Sequence, residues 1–237
     1  MVAMTHNRRG WIFACARLVA GSVLASLGLR VLKATAADDE GFVSLFNGKN
    51  LEGWEGDLKL WKVEDGMIVG DSPGIKQNEF LATHKKYSDF ELRLEFRLQQ
   101  GKGNSGVQFR SQRDPANSEV AGYQADLGEN YWGCLYDEHR RNRILVQAPP
   151  ELAKHLVKDA WNSYTIRAAG KQITLSINGF TTVDYTETDE KIAANGIIAL
   201  QVHAGPPLRV EFRNVRLKEL PRPENSGNSA KSSTSSQ

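Results

Sequence analysis

Cysteine is almost absent. Of 237 residues two are Cys, and Cys15 falls in an N-terminal segment that reads as an export leader. Cys134 then stands alone, which excludes an internal disulfide. Set between Gly133 and Leu135 without a supporting signature, it reads as a small packed residue rather than a nucleophile. Motifs are missing as well. The chain has no His-x-x-x-His, Cys-x-x-Cys or Glu-x-x-His spacing, so no cofactor is expected, and a divalent metal could only be assembled from scattered Asp, Glu and His ligands. It has no Gly-x-Ser-x-Gly elbow, which argues against an esterase. It also lacks the Glu-x-Asp-x-Glu triplet of many sandwich glycosidases, so two-carboxylate hydrolysis loses its clearest signal. Helical periodicity is scarce, with Glu151–Lys158 the one stretch that reads as a short helical turn.

The first residues, MVAMTHNRRG, are basic and precede an apolar run broken by Arg17. Small residues at Ala34-Thr35-Ala36 and Thr35-Ala36-Ala37 match a signal-peptidase site, so residues 1–37 are expected to be a signal peptide of an exported, periplasmic or secreted protein. An interrupted run with a cleavage-like end does not argue for a retained membrane span. The leader holds five basic residues (Arg8, Arg9, Arg17, Arg30, Lys33) and no acid. Taken from 30 basic residues, those five leave 25 against 28 acidic, so the formal charge of +2 becomes −3 from Asp38 onward. That balance gives no case for nucleic-acid binding. From Pro221 the chain is PRPENSGNSAKSSTSSQ, too polar to bury a core and expected to be a disordered tail. Residues 38–220 remain as one domain, long enough for a substantial core.

What is present has a period of two. Phe90, Leu92, Leu94, Phe96 and Leu98 alternate with Glu91, Arg93, Glu95 and Arg97, a long half-buried strand. Tyr164, Ile166 and Ala168 repeat the pattern, as do Ile173, Leu175 and Ile177, after which Asn178-Gly179 makes a two-residue hairpin turn. Further strands are predicted at Phe42–Phe46, Trp61–Val63, Met67–Val69, Gly106–Arg110, Gly196–His203 and Leu208–Leu220. In the last of these the apolar register slips at Arg213-Asn214, which predicts a bulge. Short strands punctuated by Asn-Gly and Asp-Gly turns specify an all-β sandwich of jelly-roll type.

AGYQADLGENYWGCLYDEHRR, residues 121–141, concentrates groups that are costly to bury without partners. Residues two apart on a strand share a face. That places Gln108 with Arg110, Gln124 with Asp126, and Gln201 with His203, each pair opposite apolar neighbours. If the three strands adjoin, these pairs form a polar groove, with the aromatics of Tyr131, Trp132 and Tyr136 nearby. Taken singly, each pair is what any solvated strand face offers. Asp137 and Glu138 are adjacent and face opposite ways. His84 and His155 lie in polar, loop-like contexts with no assigned role.

Seven segments in order, FVSLFNGKNLEGW, WKVEDGMIVG, YSDFELRLEFRL, GNSGVQFR, GYQADLGENYWGCLYDEHRR, WNSYTIRAAGKQITLSINGF and GIIALQVHAGPPLRVEFRNVRLKEL, resemble the 3-keto-disaccharide hydrolase domain family, also described as 3-keto-glucoside 1,2-lyase/2-hydroxyglucal hydratase. The resemblance runs from Phe42 to Leu220. It implies a concanavalin A-like jelly roll, export in bacteria, and action on oxidised (3-keto) sugars. A ketone at C3 acidifies the C2 proton, so a base can form an enolate that expels the C1 substituent. For that chemistry His203 or His139 is the expected base, with Asp126 or Glu138 orienting it or protonating the leaving group. Arg110 and Arg140 are expected to steady the oxyanion, Gln108, Gln124 and Gln201 to hold hydroxyls, and Trp132, Tyr136 or Tyr131 to contact the ring. A non-catalytic carbohydrate-binding module is the rival reading, since it needs the same groove but no base. A structural or adhesive sandwich is the third.

Overall fold

Period-two hydrophobicity becomes two antiparallel sheets in the computed structural model, which describes residues 40–116 and 119–221. In chain order the strands are β1 (Val43–Ser44), β2 (Trp54–Glu55), β3 (Trp61–Glu64), β4 (Met67–Ser72) and β5 (Glu79–Thr83). They continue as β6 (Phe90–Leu98), β7 (Asn104–Arg113), β8 (Val120–Gly128), β9 (Leu135–Glu138) and β10 (Arg143–Val146). The last five are β11 (Asn162–Ala169), β12 (Gln172–Ile177), β13 (Phe180–Thr186), β14 (Ile197–Val202) and β15 (Leu208–Glu219). One sheet runs β13-β12-β11-β6-β15-β4-β3 with β1 also on β15; the other runs β10-β9-β8-β7-β14-β5-β2. Neighbours such as β6 and β15, or β7 and β14, are distant in sequence, the mark of the expected jelly-roll sandwich. The proposed leader, and the tail beyond Pro221, lie outside the described residues.

The core forms where the alternating faces meet. Phe90, Leu92, Leu94, Phe96 and Leu98 are all buried, as are Tyr164, Ile166 and Ala168 beside them on β11. Each large apolar side chain removed from water contributes roughly 1.5–3 kcal/mol. On the outer face of β6 the charges pair across strands, Arg97 with Glu211 at 2.5 Å and Arg213 with Glu95 at 2.6 Å. The register of β15 against β6 shifts between Arg213 and Arg216, with Asn214 at φ 53°, so the predicted bulge is present. The expected helical turn is a 3-10 turn over Pro150–Lys154.

Polar struts bind the two sheets at their margins. Arg110 is almost fully buried and donates to Asp89 Oδ1 at 2.6 Å, to the Ser88 carbonyl at 2.7 Å and to the Gly170 carbonyl at 2.7 Å. Ser88-Asp89 lead into β6 and Gly170 turns β11 into β12, so one guanidinium from the second sheet gathers three segments of the first. A second strut centres on fully buried Asp137, which accepts from Arg140 Nε at 2.8 Å and from Arg141 Nε. Arg141 also pairs with Glu187 at 2.7 Å, and the Tyr123 hydroxyl donates to the same carboxylate. Burial raises the pKa of Glu187, but the Arg141 guanidinium and the Tyr123 hydroxyl outweigh it and bring the group down to about 2.

Removing Arg110 takes the ion-pair partner from buried Asp89, so Arg110→Ala is expected to cost about 3–5 kcal/mol in urea unfolding. A loss below about 0.5 kcal/mol would refute the strut. Glu187, with its lowered pKa, contributes stability that is complete above its ordinary value of 4.5 and fades as pH falls toward 2. Glu187→Gln is therefore expected to lose about 2 kcal/mol at neutral pH. Acid titration of the two unfolding curves should bring them together across that window, and a gap that stays constant would contradict the assignment.

Candidate active site

The second sheet carries polar groups on the face away from the main core, and they are not solvated. Gln108, Gln124, Asp126 and Gln201 are each exposed by 2% or less. Register explains how they meet. Gln108 lies opposite Gln124, and Gln124 opposite Tyr136, so β7, β8 and β9 present one row. A directed chain of hydrogen bonds follows it. Ser111 Oγ donates to Gln108 Oε1 at 2.8 Å, Gln108 Nε2 donates to Gln124 Oε1 at 3.2 Å, and Gln124 Nε2 donates to Asp126 Oδ1 at 2.8 Å. Each amide is oriented by its predecessor, and the last donor is aimed at a carboxylate. Gly106 makes room for this row: a Cβ there would stand 2.6 Å from Gln124 Cδ.

The row ends in a pocket of about 190 Å³ lined by Asp126, Glu138, His203, Gln124, Asn104 and the tyrosines 131 and 136. Its two carboxyl groups both titrate above their ordinary values. Burial raises Asp126 strongly; the Gln124 bond opposes this, and the nearby Glu138 charge adds to it. Burial also raises Glu138, against the pull of His139 and His203. Tyr136 is pushed up by burial and by Glu138, so its phenol stays a neutral donor. His203 Nδ1 lies 2.6 Å from the Ala204 carbonyl. A carbonyl only accepts, so the proton sits on Nδ1 and Nε2 keeps its lone pair in the neutral ring.

Thus the structure brings together Gln124, Asp126, Tyr131, Tyr136, Glu138 and His203, drawn from β8, β9, the turn between them and the end of β14. Gln108 and Gln201 stand behind the pocket as parts of its support. Gln201 Oε1 is 3.4 Å from Gln124 Nε2, and its own buried Nε2 has no partner. Besides Gln108 and Gln201, four expected residues do not line the pocket. Arg110 does not share a face with Gln108, because β7 bulges there: Arg110 takes φ 48° and the pairing with β8 slips between Phe109 and Gln112. Strict alternation fails at that residue, and Ser111 takes the place beside Gln108. Arg140 is held by Asp137 and lies over the Tyr123 ring at 4.4 Å. His139 turns at φ 48° toward Glu119, 2.8 Å away. Trp132 stacks on Phe96, centroids 6.1 Å apart.

Two contributors escaped the sequence reading. Asn104 lies in the Gly-rich entry to β7, where hydrophobic alternation has not begun. Ser111 is assigned to the opposite face by any period-two reading that misses the bulge. Among the described residues no group of three or more His, Cys, Asp or Glu side chains could hold a metal.

The family model for the 3-keto-alpha-glucoside-1,2-lyase-like domain matches residues 41–218. A protein of Bacteroides thetaiotaomicron described as a 3-keto-disaccharide hydrolase is 34% identical over 86 residues, 32% of this chain. That match spans 29% of the relative's length. Among solved structures, a Parabacteroides distasonis protein provisionally assigned as a glycosyl hydrolase superposes with TM-score 0.61 at 22% identity, over 80% of this chain and 99% of that one. A Bacillus subtilis protein of unknown function with a galectin-like fold gives TM-score 0.55 at 11% identity, covering 79% of this chain and 93% of that one. At such identities these two likenesses speak for the fold alone. With the matched span covering nearly the whole sandwich, the chain belongs to the 3-keto-alpha-glucoside-1,2-lyase-like domain family.

Proposed function

We propose that this protein is an exported carbohydrate-active enzyme that cleaves 3-keto-glycosides by removing the C2 proton and expelling the C1 substituent. One observation carries the reading: two carboxyls with raised pKa values and a histidine with a free Nε2 converge on a single small pocket. Groups tuned toward neutral pH suit proton transfer, and paired charged carboxylates are not required. The family membership supports the substrate class. The leader-like first 37 residues support export.

In the proposed reaction His203 Nε2 takes the C2 proton, and the electron pair passes into the ketone as an enolate. Glu138, close enough to His203 to feel its charge, stabilises the imidazolium. Tyr136, Tyr131 or the Asn104 amide donates to the developing oxyanion in place of the arginines. The enolate collapses, the C1–O bond breaks, and Asp126, whose protonated form burial favours, gives its proton to the departing oxygen. Water then adds across the resulting enone, hydroxyl to C1 and proton to C2, giving the free 3-keto sugar. Among the described residues no Lys or Arg lines the pocket.

Incubation with 3-keto-trehalose or a 3-keto-glucoside, with and without chelator, tests this. A transient conjugated-enone absorbance followed by free 3-keto-glucose supports elimination with hydration; free 3-keto-glucose without it supports direct hydrolysis. No product at all would refute the enzyme and favour a binding module. His203→Gln is expected to lower kcat by about 10²–10⁴-fold, the worth of a positioned base.

Asp126→Asn is expected to abolish turnover while stabilising the fold at neutral pH. The sign follows from the raised pKa: ionised Asp126 is disfavoured in the folded state, so the wild type is fully stabilised at low pH and loses stability as pH rises through the folded value. Thermal unfolding should show the variant ahead at pH 8 and level with the wild type near the ordinary carboxyl value of 3.8. A variant less stable at every pH would contradict the desolvation argument.

A further inference from the structure

His203 can take a proton only if one ring nitrogen is kept free and turned to the pocket. Its Nδ1 proton goes to the Ala204 carbonyl at 2.6 Å, so the ring is oriented by the peptide group joining residues 204 and 205. That peptide belongs to no strand. β14 ends at Val202, and residues 203–207 lead irregularly into β15. Backbone of this kind, left to itself, lets the carbonyl swing and the imidazole with it.

The restraint comes from the connection between β4 and β5, residues 73–78, none of which lines the pocket. Val202 pairs with Glu79, so Asn78 stands opposite His203 where the ladder stops. There Asn78, only 8% exposed, accepts the Ala204 N–H on its Oδ1 at 2.9 Å. Ile75 holds the next residue. The Gly205 N–H donates to the Ile75 carbonyl at 2.8 Å, and the Ile75 N–H donates to the Gly205 carbonyl at 3.2 Å. The Gly205 N–H and the Ala204 carbonyl are two ends of one peptide unit. Its plane is therefore fixed, and the donation to Ile75 polarises the carbonyl as an acceptor for the imidazole. The connection is itself anchored, since Ser72 Oγ accepts from the Gly74 N–H at 3.1 Å. Gly74 holds φ 109°, and a Cβ there would stand 3.2 Å from the Gly205 carbonyl oxygen. From the opposite side, Ser105 Oγ of β7 donates to the Gln201 carbonyl at 2.7 Å and steadies the end of β14.

We propose that Asn78 is a positioning residue for His203. With the Ile75 backbone it holds the Ala204 carbonyl where only the Nδ1–H tautomer fits, and so leaves Nε2 as the proton acceptor. The proposal rests on the reading of His203 as the base. Asn78 touches no reacting atom and acts through the Ala204 peptide. Asparagine suits the task because its amide oxygen accepts a backbone N–H as a strand partner would, at a point where the ladder has ended.

Long-range proton–nitrogen correlation NMR, at a pH where the imidazoles are neutral, reads the tautomer directly. The His203 signals are assigned by their loss in His203→Gln. The wild type is expected to carry its proton on Nδ1; a proton on Nε2 would overturn the proposal whether or not any variant folds. Asn78→Ala is expected to populate the other tautomer and to lower kcat on a 3-keto-glucoside about 10–100-fold, with KM changed less than about twofold. Asn78→Asp keeps an acceptor oxygen in place and should retain the wild-type tautomer. An unchanged tautomer in Asn78→Ala, an effect confined to KM, or loss of the tautomer in Asn78→Asp would each overturn it. If the wild type turns over no 3-keto substrate, the assignment of His203 as base fails, and the spectra decide the restraint on its ring alone.

Discussion

Everything at the site depends on Asp126 being held out of water at the end of a fixed row of amides. A carboxylate in that position is disfavoured by desolvation, and a single hydrogen bond from Gln124 does not offset it. The group therefore titrates far from its ordinary range. Gln124 is itself held by Gln108, and Gln108 by Ser111. The row can cross β7 only because residue 106 has no side chain. The sandwich thus supplies two things at once: a low-dielectric setting that shifts the acid, and strands in register that fix its orientation.

The arginines show the opposite use of charge. Arg110 and Arg140 are spent on holding the chain together at the sandwich margins, each answering a buried carboxylate. Guanidinium suits that task because its planar donors can serve several acceptors at once, as Arg110 does with Asp89 and two carbonyls. What remains for the pocket is phenols, amides, an imidazole and two carboxyls whose charged forms burial disfavours. Such a pocket suits the proton transfers proposed for it and is poorly suited to binding a strong anion.

The turns at one end of the fold give the site its reach. The β8–β9 turn faces two ways, Tyr131 into the pocket around Asp126 and His203 and Trp132 onto Phe96 of the core. The same turn is tied by backbone hydrogen bonding to the β6–β7 turn. Loops braced in this manner position side chains with little cost in ordering at the moment of binding.

The sequence alone determined the sandwich, since alternating residues such as Phe90 to Leu98 can bury one face only as strands, and Asn178-Gly179 can join strands only as a tight hairpin. It also determined that Gln124 and Asp126 share a face, because two residues on a regular strand must. Asp137 and Glu138 separated to opposite faces for the same reason. Alternation carried no further than the regular backbone did. At Arg110 a left-handed residue inserts a bulge and turns the side chain toward the other sheet, and at His139 another turns the imidazole toward Glu119. Which strands adjoin was decided only by tertiary structure: β14 reaches β7 across a long stretch of chain, and that pairing alone brings His203 to Asp126. Burial was decided there too. Nothing local to Gln108 or Asp126 distinguishes a solvated strand face from a dry one, because desolvation is set by what packs around a residue.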